Sequence, residues 1–203
     1  MAITNLSTSS LVSGVKRRRV WDQTATTDGF FQIATTTLNV AASTVTFSSI
    51  PADYTHLQIR ASYQTSRGTY PLDKIFIRFN SDTASNYSSH NLKGDGGGAY
   101  SGAENTDKIT DGDMSSTTAA SGGLVFGSLI MDILDYANTN KYKTTRGIIG
   151  FDTNGTVAGY GGRVGLISGN WRSTSAITSI TFTVDNAANY SANSKFSLYG
   201  IKG

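Results

Sequence analysis

The chain has 203 residues, of which 38% are hydrophobic and 15% are charged, and its formal net charge is +3. It contains no cysteine, so disulfide bonds and cysteine-ligated metals are excluded, and the scarcity of charge excludes a coiled coil. A chain of this length forms one domain by default, and its Thr, Val, Ile, Tyr and Phe residues suit strands joined by turns of Ser, Asn and Gly.

Residues 1–29 show no sustained period, and we interpret them as an extended N-terminal arm. The arm contains a run of four basic residues followed by a tryptophan. Adjacent positive charges attract phosphate or carboxylate surfaces, and Trp and Arg are favoured at the centres of protein interfaces. A docking arm, a solvated tail and a nucleic-acid contact are the alternatives, and a body without a basic stripe argues against nucleic acid. The candidate docking residues are Lys16, Arg17, Arg18, Arg19 and Trp21.

Residues 30–203 form the body, in which apolar and polar side chains alternate as in half-buried strands. Short strands separated by turn signals predict an all-β fold, a β-sandwich or jelly roll of about eight or nine strands. Residues 124–136 are apolar on both faces and fit either a strand or a short helix, and with residues 146–151 they suggest a long hairpin. The predicted strands cover residues 44–47, 57–63, 75–79, 86–92, 124–136, 146–151, 163–171, 177–184 and 195–201.

Residues 93–123 are rich in Gly, Ser, Thr and Asp and lack a period, so we expect a long loop, which is often functional. Its carboxylates suggest calcium binding or glycoside hydrolysis, but the ligand spacing is wrong for an EF-hand and its closing Glu is absent. Solvated turns are therefore the preferred interpretation. The carboxylates are Asp95, Glu104, Asp107, Asp111 and Asp113.

Catalytic motifs are not found in the sequence. The two histidines, His56 and His90, are interpreted as surface or turn residues, and a Gly-x-Ser-x-Gly elbow is missing. The Gly-rich stretches 94–102 and 159–165 lack the Lys-Ser/Thr pair of a phosphate loop. We therefore predict no catalytic residue, no metal site and no cofactor. A hydrolase that uses Asp107, Asp111 or Asp113 is the alternative.

Aromatic and acidic residues of the body could bind a sugar or receptor, because both kinds of side chain suit carbohydrate sites. In the competing interpretation Trp171 belongs to the core of a strand and the tyrosines are ordinary surface residues. The candidate ligand residues are Tyr70, Asp95, Tyr100, Tyr160 and Trp171.

Several short motifs resemble a recurring β-sandwich module of tailed-bacteriophage virion proteins, and the resemblance covers about residues 40–203. The motifs carry no catalytic residue, so none is transferred. They are Thr46-Phe47-Ser48-Ser49-Ile50-Pro51 with Tyr54 and Leu57, and the segments 77–83, 86–87, 132–141, 168–171, 176–180 and 196–203.

The resemblance implies a non-enzymatic structural protein, made in the host cytoplasm and displayed on the virion surface. A head decoration or cement protein, held by its arm to capsid or tail proteins, is preferred. The alternative is a tail fibre or adaptor protein that binds a host surface glycan. Particle proteins follow symmetry, and we expect a homo-oligomer with preference for a trimer. Membrane insertion is not expected, because no apolar stretch approaches the roughly 18 residues of a membrane helix. Nucleic-acid binding is not expected either, because the body has no basic stripe.

Overall fold

The computed structural model describes residues 29–119, 123–153 and 161–202. The predicted all-β class is confirmed, because these residues form fourteen strands in three antiparallel sheets. The predicted arm, apart from its last residue, lies outside the described residues, and the first strand begins at Phe30.

In chain order the strands are β1 (Phe30–Thr37), β2 (Thr44–Phe47), β3 (His56–Tyr63), β4 (Leu72–Asp73), β5 (Ile75–Phe79), β6 (Tyr87–Gly94), β7 (Ala99–Thr106), β8 (Ile109–Thr110), β9 (Ser115–Ser116), β10 (Gly127–Leu134), β11 (Lys143–Asp152), β12 (Gly162–Trp171), β13 (Ile180–Val184) and β14 (Lys195–Ile201). The largest sheet has the order β1-β14-β3-β10-β11-β12-β6-β7. A four-stranded sheet has the order β2-β13-β5-β8, and β4 pairs with β9.

The core lies between the inner faces of the two larger sheets. Every second residue of β3 is buried, starting from Leu57, as the alternation in the sequence predicted. The ring of Phe182 in β13 lies 5.2 Å from that of Phe196 in β14. At another point, Phe79 of β5 lies 5.7 Å from Trp171 of β12. The four-stranded sheet therefore covers the inner face of the eight-stranded sheet, and buried residues of both belong to one hydrophobic cluster.

The predicted count of eight or nine strands was too low. Strand β1 was not predicted, because a register shift between Gln32 and Ala34 interrupts its alternation. Three further strands, β4, β8 and β9, have only two residues each. Such short pairings leave no periodic signal in a sequence.

The prediction of a long loop at residues 93–123 was wrong. Within the described part of this segment, β7 pairs with β6 over eight residues, and β8 and β9 follow it. Strand β7 consists mainly of small residues such as Gly102 and Ala103, which give no contrast between its two faces. Its strand conformation comes from the partner strand β6 rather than from its own pattern.

The segment that fitted either a strand or a helix is a strand. Strand β10 pairs with β3 on one side and with β11 on the other. The predicted hairpin is confirmed by the pairing of Leu129 with Ile149 and of Ile133 with Thr145. Because β10 has apolar residues on both faces, those of one face are buried in the core and Ile130, on the other face, is exposed.

Candidate functional site

A row of exposed apolar side chains crosses the outer face of the eight-stranded sheet. Ile130 of β10 is paired with Ile148 of β11, which is paired with Leu166 of β12, and Leu166 is paired with Leu92 of β6. Between 47% and 59% of each side chain is exposed. Directly opposed residues on one face have Cβ atoms about 5 Å apart, so the four side chains are neighbours in a continuous row. We call these four residues the apolar row.

A second row of mostly small residues runs beside the apolar row. Ser128, Gly150, Val164 and Gly94 are paired in the same strand order. They line an open depression of about 510 Å³, whose lining includes Asp95, Asp152 and Arg163. We call this depression the glycine trough. The outer face of the sheet therefore has a ridge of large apolar side chains, which is the apolar row, next to a hollow, which is the glycine trough.

The glycine at the centre of the trough is required by the close approach of two strands. A Cβ atom on Gly150 would lie 2.7 Å from the carbonyl oxygen of Arg163 in the neighbouring strand β12. Real Cβ contacts are essentially never this short, so a side chain at this position would push β11 and β12 apart. The hollow is thus a consequence of how these strands pack.

The charged side chains nearest to the apolar row are paired with each other. Asp132 accepts a hydrogen bond of 2.8 Å from Gln58 Nε2 and one of 3.2 Å from Arg146 Nε. These three residues lie in the row on the other side of the ridge from the trough. The ridge is therefore bordered by a neutral charge pair and by small residues, and it suits contact with a flat, apolar and weakly charged surface.

An aromatic cluster lies on the same outer face, towards β1. The guanidinium of Arg60 lies 5.0 Å from the ring centre of Phe30 and 5.5 Å from that of Tyr199. Arg60 is paired with Ile130, so it forms one end of the apolar row. Its Nε donates a 2.8 Å hydrogen bond to Gln58 Oε1. Arg and Tyr are the polar residues that protein interfaces favour most.

The sequence contained a signal for this surface that was not used. Ile130 lies between two core residues, and Ile148 and Leu166 each precede a core isoleucine. Two adjacent apolar residues in a strand point to opposite faces, so one of them must be exposed unless the outer face is covered. The run that contains Ile130 fits either a strand or a short helix, and the runs that contain Ile148 and Leu166 predict strands.

The predicted ligand residues are only partly brought together. Asp95 and Tyr100 share the β6–β7 hairpin, where Asp95 Oδ1 accepts hydrogen bonds from the backbone N–H groups of Gly97 and Gly98. Tyr100 is 47% exposed. Tyr70 lies between β3 and β4, where its ring is 5.1 Å from the guanidinium of Arg67. Tyr160 and the docking residues Lys16, Arg17, Arg18, Arg19 and Trp21 lie outside the described residues.

Trp171 is a core residue, and we remove it from the candidate ligand residues. Its side chain is 2% exposed, and its ring is stacked against that of Tyr87 at 6.1 Å. The indole Nε1 donates a 2.7 Å hydrogen bond to Asp82 Oδ2. A ring enclosed in this way presents no face to a sugar, so the competing interpretation from the sequence is the one that the structure supports.

Three of the five carboxylates of residues 93–123, those of Glu104, Asp107 and Asp113, lie beside cationic side chains. Lys74 Nζ lies 3.5 Å from Glu104 Oε1 and 3.9 Å from Asp113 Oδ2. Asp107 accepts a hydrogen bond from Arg78. Partial burial acts to raise the pKa of Asp107, but the hydrogen bond and charge of Arg78 outweigh it and lower the pKa. Within the described ranges, no three His, Asp or Glu side chains are grouped to hold a metal ion.

Asp111 differs from the other carboxylates because it is completely buried. Its carboxylate accepts hydrogen bonds from Ser115 Oγ and, at 3.3 Å, from the backbone N–H of Ile75. Ser115 Oγ lies 2.8 Å from the hydroxyl of Tyr63, which is also buried. Burial raises the pKa of Asp111 to about 7. These contacts make Asp111 part of a buried polar network, away from solvent.

The two histidines, interpreted from the sequence as surface or turn residues, both lie in strands, His56 half-buried at the start of β3 and His90 exposed in β6. His56 Nδ1 accepts a 2.9 Å hydrogen bond from the backbone N–H of Asp135, in the turn after β10. His90 is exposed on β6, in the row next to Leu92. Among the described residues, the carboxylate near a histidine is that of Asp135, whose Oδ1 lies 3.4 Å from His56 Nδ1. Within the same ranges, neither histidine forms a hydrogen bond with Glu104, Asp107 or Asp113.

Comparisons with known proteins identify no relative. No protein-family model matches the chain, and neither a curated protein nor a solved structure has significant similarity to it. Among the residues that the structure describes, no helix has the length and apolar character needed to cross a membrane. Arguments about function therefore depend on strand topology and on the chemistry of the surface.

Proposed function

We propose that the chain is a non-enzymatic structural protein of a bacteriophage particle, with a jelly-roll body that presents binding surfaces to other proteins. The observation that carries the proposal is the strand order. One set of four strands pairs as β1-β14-β3-β10 and the other as β2-β13-β5-β8. If these eight strands are renumbered 1 to 8 in chain order, the two sheets have the orders 1-8-3-6 and 2-7-4-5. These are the strand orders of a jelly roll, a fold typical of viral capsid and lectin domains.

The remaining long strands widen one sheet of this jelly roll. Strands β11, β12, β6 and β7 continue the sheet beyond β10, so that eight strands lie side by side. At about 4.8 Å per strand the sheet is about 38 Å wide. A broad outer face with exposed apolar residues supports a role in binding other proteins, because monomeric proteins rarely expose contiguous apolar patches of large size.

We assign attachment to the N-terminal arm, in line with the head decoration or cement role. The basic run Lys16 to Arg19 and Trp21 supply charge and an aromatic anchor. A homo-oligomer is part of the proposal, and the trimer stays a prediction from the sequence alone.

The experiment that tests this function is analysis of particles of the phage that encodes the chain. We expect mass spectrometry of purified particles to detect the protein as a stoichiometric component. Deletion of residues 2–25 should abolish incorporation while the body, expressed alone, keeps its β-rich circular dichroism spectrum. Particles that lack the protein would contradict the proposed function, and undiminished incorporation of the shortened chain would contradict only the docking arm.

A tail fibre or adaptor protein that binds a glycan is the second candidate. The observation that favours it is the position of Asp95, a predicted ligand residue, in the lining of the glycine trough beside Asp152 and Arg163. A glycan array should then give signals for the natural chain that Asp95→Ala removes. The control is Asp53→Ala, which changes an exposed aspartate elsewhere. An array without signals would leave the structural role as the proposal.

A further inference from the structure

The outer face of the eight-stranded sheet is the most distinctive surface of the described residues outside the candidate ligand positions. Exposed apolar residues are common on proteins when they are scattered. Here four of them are direct cross-strand neighbours, and Val164 in the adjoining row, 63% exposed, adds to the patch within the trough. A continuous apolar row on a flat sheet is an interaction surface, and the question is what covers it.

We propose that this face binds a second copy of the chain, with the two sheets packed face to face about a two-fold axis. A two-fold contact brings the same patch of both copies together, so the patch must be complementary to itself. Three features of the face meet this requirement: its shape, its charge and its area.

The shape is self-complementary because a ridge and a hollow lie side by side. The apolar row has four large side chains, and the glycine trough next to it offers about 510 Å³. When two such faces meet about a two-fold axis, the ridge of each copy enters the trough of the other. A flat face without a hollow would allow only ridge against ridge, with gaps on both sides.

The charge distribution permits self-association although the chain has a formal net charge of +3. Asp132 and Arg146, which border the ridge, have opposite charges and form a pair at 3.2 Å. Arg60, at the end of the apolar row, lies against the Phe30 and Tyr199 rings. Like charges that face each other would oppose pairing. Because the ridge of each copy meets the trough of the other, the charged residues of the trough lining, Asp95, Asp152 and Arg163, face the uncharged ridge and not their own counterparts.

The area is sufficient for a stable pair. Eight strands at about 4.8 Å and eight residues at about 3.3 Å give a face of about 1,000 Å². A standard protein interface buries about 800 Å² on each partner. Sheets packed face to face at about 10 Å are also the usual arrangement between two β layers, so a second copy would extend the molecule by a known geometry.

The test is the mass of the full chain in solution, measured by light scattering after size exclusion and by sedimentation equilibrium. We expect the mass of two chains at micromolar concentration. Ile148→Asp places a charge in the middle of the ridge, and we expect the dissociation constant of the pair to rise about 30-fold or more, as for a central interface residue. Ser128→Arg fills the trough without altering the ridge and should weaken the pair as well.

Controls separate loss of pairing from loss of folding. Val40→Asp changes an apolar residue that is 74% exposed outside the sheet, and it should leave the pair intact. Circular dichroism and thermal unfolding establish that each variant is folded, and Leu166→Lys replaces Ile148→Asp if that variant does not fold. Because the chain has no cysteine, Leu166→Cys with a bifunctional thiol reagent should also give a covalent dimer.

Several outcomes would overturn the inference. A single chain at all concentrations up to about 100 μM would do so, and so would a pair that Ile148→Asp and Ser128→Arg leave unchanged. A mass of three chains would replace the two-fold pair by the trimer predicted from the sequence. Incorporation into particles does not depend on these results and is tested separately, whereas a single chain at all concentrations would also contradict the homo-oligomer in the proposed function.

Discussion

One buried carboxyl group, Asp111, connects the stability of the fold to pH. Its pKa of about 7 in the folded protein lies above the usual value near 4, because burial disfavours the charged form. Between these two values the folded state keeps a proton that the unfolded state has lost. The contribution of Asp111 to the free energy of unfolding is therefore largest at low pH and decreases as the pH rises towards 7.

We expect Asp111→Asn to remove this part of the pH dependence. The amide is uncharged, has nearly the same shape and can donate a hydrogen bond to Ser115 Oγ, so it should unfold at higher urea concentration than the natural chain at pH 8. At pH 5 the two should be similar. Urea denaturation at both pH values measures the effect, and Asp53→Asn controls for the loss of an exposed negative charge. Equal pH dependence of Asp111→Asn and the natural chain would refute the explanation.

Individual buried polar residues are where sequence reasoning was weakest. Lys143 falls between the predicted strands 124–136 and 146–151, yet it is completely buried, and its Nζ donates hydrogen bonds to the carbonyl oxygens of Lys141 and Thr174 at 2.9 and 3.2 Å. Asp111 was interpreted as a solvated loop residue. Burial of a charged residue depends on partners far away in the chain, and Thr174 and Tyr63 cannot be recognised as such partners from local composition.

At the scale of strands, predictions succeeded where the two faces differ in polarity. Strands β2 and β3 alternate cleanly and were predicted at or nearly at their observed bounds. Strand β7 has small residues on both faces, and β1 contains a bulge, so neither had the periodic signal. Glycine residues suit turns, but some of them lie inside paired strands, and Gly200 in β14 is the clearest case.

Gly200 provides a test of how closely a side chain packs on a strand. A Cβ atom on Gly200 would lie 2.3 Å from the ring of Tyr54, which covers this position. We expect Gly200→Ala to displace the ring and to lower the free energy of unfolding by about 1–3 kcal/mol, as overpacking does. Gly68→Ala is the matched control, because nothing lies within 4 Å of a Cβ there. Similar urea midpoints for the two variants would contradict the packing argument.

At the scale of the molecule, the arrangement of strands carries the functional argument. The pairing of β14 with β1 and β3 joins residues that are more than a hundred positions apart, and the pairing of β3 with β10 joins residues that are more than sixty positions apart. This order supports the proposed jelly roll, and the added strands produce the wide outer face. The particle experiment and the mass measurement test these two levels independently, since one concerns attachment and the other concerns contact between copies.

The sequence by itself determined the all-β class, the positions of the strongly alternating strands and the β10–β11 hairpin. It did so because alternation and turn residues are local properties of a strand. Only the tertiary structure decided that Trp171 and Asp111 are buried, that residues 93–119 contain strands, and that four separate apolar residues form one exposed row. These features depend on which strands become neighbours and in which register, and register is set by packing between distant segments of the chain.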